Sequence, residues 1–137
     1  MADGVYLKFE EQKGLGNIDI ESDTFHLCPM DSGYTPDYTN DQFWSDISSD
    51  LASGASTIAL SNVTFNISGG YVTFDSDDVS ESSQTWASPR FVIKKYTGTP
   101  TTEVLVACID FDATQTPVAG PFAYTVPANG YFRYASS

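Results

Sequence analysis

Histidine is almost missing from this chain, and that absence narrows its chemistry. His26 is the only one in 137 residues. A zinc centre needs several His or Cys ligands at set spacings, so a lone histidine among apolar neighbours in "TFHLCPM" reads as structural or solvent-facing. Cysteine is nearly as scarce. Cys28 and Cys108 each sit in an apolar run, which favours buried free thiols over a disulfide. Serine is plentiful, but no G-x-S-x-G elbow surrounds it, and no P-loop or dinucleotide-binding glycine pattern occurs. The two glycines of "GLGNID" are too few for a phosphate cradle. Long hydrophobic runs are also lacking. The longest, Val104–Ile109, falls far short of the roughly 20 residues that span a bilayer. The opening "MADGVYLKFEE" has no apolar leader core, so the expected site of synthesis is a cytoplasm.

Basic residues are few: 6 Lys and Arg face 18 Asp and Glu, for a net charge of −12. Nucleic acid phosphates and anionic membrane surfaces would repel such a chain, so neither is an expected partner. The charge is uneven, with 11 of the acids but only 2 of the bases in residues 1–50. An acidic face suits solubility, or docking onto a basic surface.

What remains is a β-rich composition. Apolar residues make up 41% of the chain and aromatics 14%, enough for one domain over residues 1–137 with its own core. Val5, Tyr6 and Phe9 in "VYLKFEEQK" have helical spacing, with Gly14 and Gly16 as terminators. Residues 1–16 thus form a short helix, or an arm that orders on binding. "IDIESDTFHLCPM" reads as extended until Pro29 closes it. A turn-rich loop, "DSGYTPDYTND", leads to a second short helix carrying Phe43, Trp44 and Ile47, capped by Asn40 or Asp41. From Thr57 the pattern is β: "TIAL", "VTFNI", "YVTF", "RFVIKKY", "EVLVACIDF", "FAYTV" and "GYFRYA". Val63, Phe65 and Ile67 share one face, and "EVLVACIDF", apolar on both faces, reads as a central strand. The expected fold is mainly β: a compact antiparallel sandwich or barrel, jelly-roll-like, with one or two short helices.

Two acid clusters invite a metal. Asp19, Glu21 and Asp23 alternate and would share a face if extended. Asp75, Asp77 and Asp78 begin like a calcium loop. Counting Asp75 as the first loop position puts Ser80 where glycine is required and Trp86 where a bidentate glutamate is required, so the pattern fails. A solvated turn held by Phe74 and Val79 fits "TFDSDDVSESS" better. No catalytic residue, metal or cofactor is implied. Candidate protein-contact residues are Val5, Tyr6 and Phe9 near the N-terminus, Tyr34 in the turn-rich loop, and Tyr131 and Arg133 at the end of the chain. In the last strand, Phe132 and Tyr134 would face the core, with Tyr131 and Arg133 at a rim.

The order of segments carries more than any one of them. "GNIDIESDTFHLCPMDSGYTPDYTNDQFWSDIS" is followed by "LSNVTF", "YVTFDSDDVS", "RFVIKKYTGTP", "LVACIDF" and "NGYFRY". This succession, from about Gly16 to Tyr134, resembles a group of small proteins encoded in the structural modules of tailed bacteriophages. Ile93-Lys94-Lys95 departs from the group's I-Y-K, and Pro29-Met30 interrupts its usual apolar strand. The resemblance implies a non-enzymatic virion component: a capsid decoration (cement) protein of β-sandwich type. Such a protein binds the outside of an assembled head, contacts the major capsid protein, and sits there as a homo-oligomer. A tail or head–tail connector component is the nearest alternative. A carbohydrate-binding β-sandwich module, stacking sugars on Tyr34, Tyr38, Trp44 or Trp86, is another.

Overall fold

A computed structural model describes residues 3–135. The first two residues of the expected helix or arm lie outside the described part. The fold is mainly β, antiparallel and sandwich-like, with two short helices, as the composition suggests. Its centre is a five-stranded sheet ordered β1 (Gly4–Val5), β8 (Leu105–Gln115), β7 (Ser88–Lys95), β2 (Phe25–Met30), β3 (Ile58–Ala59). Two smaller sheets complete it. One is ordered β10 (Phe132–Ala135), β5 (Tyr71–Asp75), β4 (Thr64–Ser68), and the other pairs β6 (Val79–Gln84) with β9 (Gly120–Tyr124).

Strand alternation sends side chains of the central sheet to two separate cores. One face carries Phe25, Leu27, Phe91, Ile93 and Ile109, which pack with Phe74, Val79, Phe122 and Tyr131 from the smaller sheets. Ring contacts stitch this core together, Phe25 and Phe91 lying 5.4 and 6.0 Å from Phe74 and Tyr131 respectively. The opposite face carries Cys28, Met30, Val92, Leu105 and Cys108 against Tyr6, Tyr34, Trp44 and Ile47. Both faces are therefore covered, which is why "VLVACI" is apolar without alternation. Cys28 and Cys108 are free and buried, each two strands from the other and opposite Val92. Burial pushes the Cys108 thiol up to about 12.

The helices are shorter than their sequence patterns. Gly4 and Val5 pair with Cys108 and Ala107, so the expected 5–13 helix starts late, as α1 (Leu7–Gly14). Sheet extension outcompetes the first helical turn. α2 spans only Trp44–Ile47, with a 3₁₀ turn over Ser48–Asp50. Asn40 and Asp41 do not cap it. Asp46 does, its carboxylate accepting the Gln42 and Phe43 N–H groups at 3.0 Å. Asp41 instead accepts the Asp37 N–H and the Tyr34 hydroxyl.

Residues 18–24 of the expected extended run are not extended. Ser22 and Asp23 donate their N–H groups to the Asp19 carbonyl, and Asp19 donates its own to the Asp23 carboxylate. This closes a turn that buries Ile18 and Ile20, so Asp19, Glu21 and Asp23 do not line one strand face. Pro29 does not end its strand either. It stays in register with Phe91, and Met30 continues to Arg90.

One ion pair is buried between the central sheet and the α2 layer. Lys94 Nζ donates to Glu103 Oε1 at 2.6 Å, with the two residues 3% and 2% exposed. The other carboxylate oxygen accepts the Thr97 and Gly98 N–H groups at 3.0 and 3.1 Å, fixing the turn "TGTP". Lys94 also lies 4.5 Å from the centroid of the Trp44 ring. Burial raises the Glu103 carboxyl pKa, but the bonds from Lys94, Thr97 and Gly98 outweigh it and leave the group below its ordinary value.

Breaking this pair strands a charge in the interior. Lys94→Met is expected to cost about 3–5 kcal/mol in urea unfolding. The sign of the pH effect follows from the lowered Glu103 value. The stabilisation is complete above the unfolded carboxyl pKa and disappears as pH falls through the lower folded one. Lys94→Met raises that folded value, so its acid unfolding should begin at higher pH than in the parent protein. Circular dichroism against pH reads both.

Candidate interaction surface

The sheet β10-β5-β4 is the part of the fold that reaches beyond its own core. Its tip is a two-residue turn, Gly69-Gly70, with φ of 59° and 85°. Left-handed conformation at both positions matches the twist of the flanking strands and favours glycine. Ser68 and Tyr71 close the turn as a cross-strand pair. From Leu51 to Phe74 the chain has no charged residue, although the whole carries a net −12.

Register sorts this sheet into rows. Facing the core, Phe65, Phe74 and Phe132 form one row across the three strands. Phe74 is fully buried, with Phe132 stacked 5.0 Å away. The next row is Ile67, Val72 and Tyr134. The Tyr134 hydroxyl donates to Glu10 at 2.6 Å, and Lys13 lies 4.7 Å from its ring. Ile67 has passed the edge of the core and is 86% exposed. A hollow of about 330 Å³ bounded by Ile67, Gly70, Val72 and Tyr134 results.

The opposite face is polar. Asn66, Thr73 and Arg133 form a row there, with Thr64 paired to Asp75 beside it. The Arg133 guanidinium lies 3.6 Å over the Tyr71 ring and donates to Asn129 Oδ1 at 3.2 Å. Together they line an open groove of about 370 Å³. Stacked on an aromatic ring and tethered at one nitrogen, Arg133 is held in place while the residue as a whole stays exposed.

The candidate contact residues divide on this geometry. Arg133 is exposed in the groove, and Val5 is half-buried at the sheet edge. Tyr6, Phe9, Tyr34 and Tyr131 are core residues, between 0% and 6% exposed, so they present no contact surface. Tyr6 and Tyr34 share a hydroxyl contact at 2.6 Å, and Tyr34 donates onward to Asp41. Tyr131 precedes β10, so strand alternation does not govern it. Its N–H donates to the Phe74 carbonyl, and its hydroxyl meets Ser76 Oγ at 2.8 Å. Of the proposed sugar platforms, Tyr34, Trp44 and Trp86 are buried, Trp86 against Phe122, while Tyr38 is half-buried.

The acidic turn "TFDSDDVSESS" is built into the architecture. Phe74 and Val79 are buried at its two ends. Asp75 accepts the Ser76 N–H, Asp77 accepts Asn62 Nδ2 at 2.6 Å, and Asp78 accepts the Val126 N–H at 2.9 Å. The three carboxylates thus diverge toward separate donors. His26 places Nδ1 2.9 Å from Thr57 Oγ1 and stacks on Tyr96 at 4.1 Å, and burial followed by the Lys94 charge lowers its pKa. No protein-family model, curated protein or solved structure matches the chain.

Core and surface members of the candidate contact set should respond differently to substitution. Tyr34→Phe and Tyr131→Phe each remove a buried hydrogen-bond partner and should cost about 1–3 kcal/mol. Arg133→Ala removes an exposed stack and should cost no more than about 1 kcal/mol. Urea denaturation of the three variants checks the division.

Proposed function

We propose that this chain is a structural component of a tailed-phage virion, a decoration protein that binds the outer surface of the capsid and stabilises it. The sequence resemblance supplies the virion setting. The observation that carries the binding role is the polar outer face of the β10-β5-β4 sheet, where Arg133, Tyr71, Asn66 and Thr73 line a groove on a rigid scaffold. Tyrosine and arginine are favoured contact residues: tyrosine offers large area with few rotors to immobilise, and arginine offers a planar fork of directed donors. The partner under this reading is the major capsid protein. Contact is with protein rather than packaged DNA, which suits the net charge of −12. The sheet residues differ from most of the contact set expected from sequence; of that set, Arg133 is the one this reading uses.

Capsids assembled without the protein provide the test. Added protein should bind them saturably and raise their resistance to heat or chelation. Arg133→Glu should weaken binding at least about tenfold while leaving the melting temperature of the free protein close to that of the parent. Copies in the hundreds per particle support a capsid lattice position, whereas a few dozen or fewer support a tail or connector position. Absence of binding to such capsids would sink the decoration reading.

A further inference from the structure

Strand β4 is a sheet edge without the usual protections. Edge strands are kept from pairing with other chains by shortness, charge, proline or bulges. Among the described strands, β1 and β3 have two residues each. β10 carries Arg133, β9 carries Pro121, and β6 carries Glu81 with a register break before Gln84. β4 has five residues in unbroken register with β5, no charge and no proline. On one side it pairs with β5, and the sheet order leaves its other side open.

Beside that open side lies a matching recess. A hollow of about 460 Å³ is lined by Phe65, Ile18 and Ile20 together with Asp19, Glu21 and Lys13, whose Nζ lies 5.2 Å from the Phe65 ring centroid. The projecting apolar side chain next along the same strand face is Ile67. A knob and a recess two residues apart on one strand are complementary under an antiparallel two-fold. If two β4 strands pair about Asn66, Ile67 of each copy lies opposite Phe65 of the other, beside its Ile18–Ile20 recess. Asn66 then meets Asn66, and Thr64 meets Ser68. Every apolar residue is opposite an apolar one and every polar residue opposite a polar one, as a period of two requires.

Charge selects the same occupant. Two chains of net −12 repel over most of their surfaces and can meet without opposing like charges at two long uncharged segments, residues 51–74 and 113–132. The strand of the second, β9, is interrupted by Pro121, which leaves β4 as the uncharged edge fit for pairing. The uncharged Gly69-Gly70 tip of one copy would approach Asp19 and Glu21 of the other, so no carboxylates are brought face to face. A basic partner would instead be drawn to the acidic parts of the molecule.

We propose that the protein forms a symmetric dimer through antiparallel β4–β4 pairing centred on Asn66, with Ile67 of each copy seated in the Phe65–Ile18–Ile20 recess of the other. The dimer is isologous and joins two three-stranded sheets into one of six strands. It is a property of the free protein and does not require a capsid, so its test is separate from that of the decoration role.

Sedimentation velocity of the full chain, from low micromolar to near-millimolar concentration, should show a monomer–dimer equilibrium. Ile67→Lys should shift it to monomer, with an unchanged far-ultraviolet spectrum because the side chain is already exposed. Val118→Lys, at an exposed apolar site elsewhere, should leave the dimer intact. Asn66→Cys reads the register. Directly opposed strand residues lie at about 4.5–5.5 Å between Cα atoms, within disulfide reach, and the native thiols are buried. Mild oxidation should cross-link Asn66→Cys and leave Thr64→Cys, whose partner is Ser68, uncross-linked. A parent chain that stays monomeric throughout, a dimer indifferent to Ile67→Lys, or cross-linking at Thr64→Cys in place of Asn66→Cys would overturn the proposal.

Discussion

Lys94 and Glu103 meet in the interior at 2.6 Å, and three parts of the molecule converge on them. Lys94 stands on β7, Glu103 just before β8, and Trp44, whose ring faces the ammonium, begins α2. The Trp44 N–H donates to the Glu103 carbonyl at 2.9 Å, so backbone and side chain of one residue hold different elements. An ion pair in a low-dielectric site is seldom favoured over apolar packing of the same volume. Here the carboxylate also satisfies the Thr97 and Gly98 N–H groups, which hydrocarbon could not. The pair thus fixes where β7 turns back, and hence the register of the two longest strands.

Aspartates do at the periphery what Glu103 does inside. Asp37 accepts the Thr39 and Asn40 N–H groups, Asp41 that of Asp37, Asp46 those ahead of α2, and Asp75 that of Ser76. Long loops leave many backbone donors without partners, and a short carboxylate side chain reaches them from nearby in sequence. Much of the acidic excess is therefore explained by turn construction. The charge-free stretch from Leu51 to Phe74 then has a structural reading too. Its turn at Gly69-Gly70 is closed by glycine conformation and strand pairing, so it needs no carboxylate.

Periodicity made the central architecture legible. Unbroken apolar "VLVACI" marked a strand covered on both sides, and alternation placed Phe25 and Leu27 on one face of β2 with Cys28 on the other. The misses have separate causes. "VSESSQ" has little β-propensity but becomes β6 because β9 pairs with it, a tertiary effect with no local signal. Val5 fitted a helical stripe but joined the sheet edge. Tyr131 was assigned by strand parity, yet it sits one residue before the strand, where parity has no meaning. Tyr6 and Tyr34 are core rather than contact residues, because each hydroxyl has an internal partner, which permits burial.

Ile67 marks the limit of what alternation conveys. Spacing put it on the same face as Phe65, and that is where it lies. Spacing does not say how far along a strand the core extends. α1 ends at Gly14, with Lys13 beneath Phe65 and Tyr134, and the apolar face continues past it toward the hairpin tip. The reach of one short helix therefore decides which apolar residues of the hairpin are core and which are surface. Because Gly14 and Gly16 end that helix, the exposure of Ile67 traces back to a helix terminator some fifty residues away in the sequence. The polar face of the same hairpin follows from the same geometry. Strands that overhang a core must be wetted on the outside, so Asn66, Thr73 and Arg133 alternate with the phenylalanines beneath them.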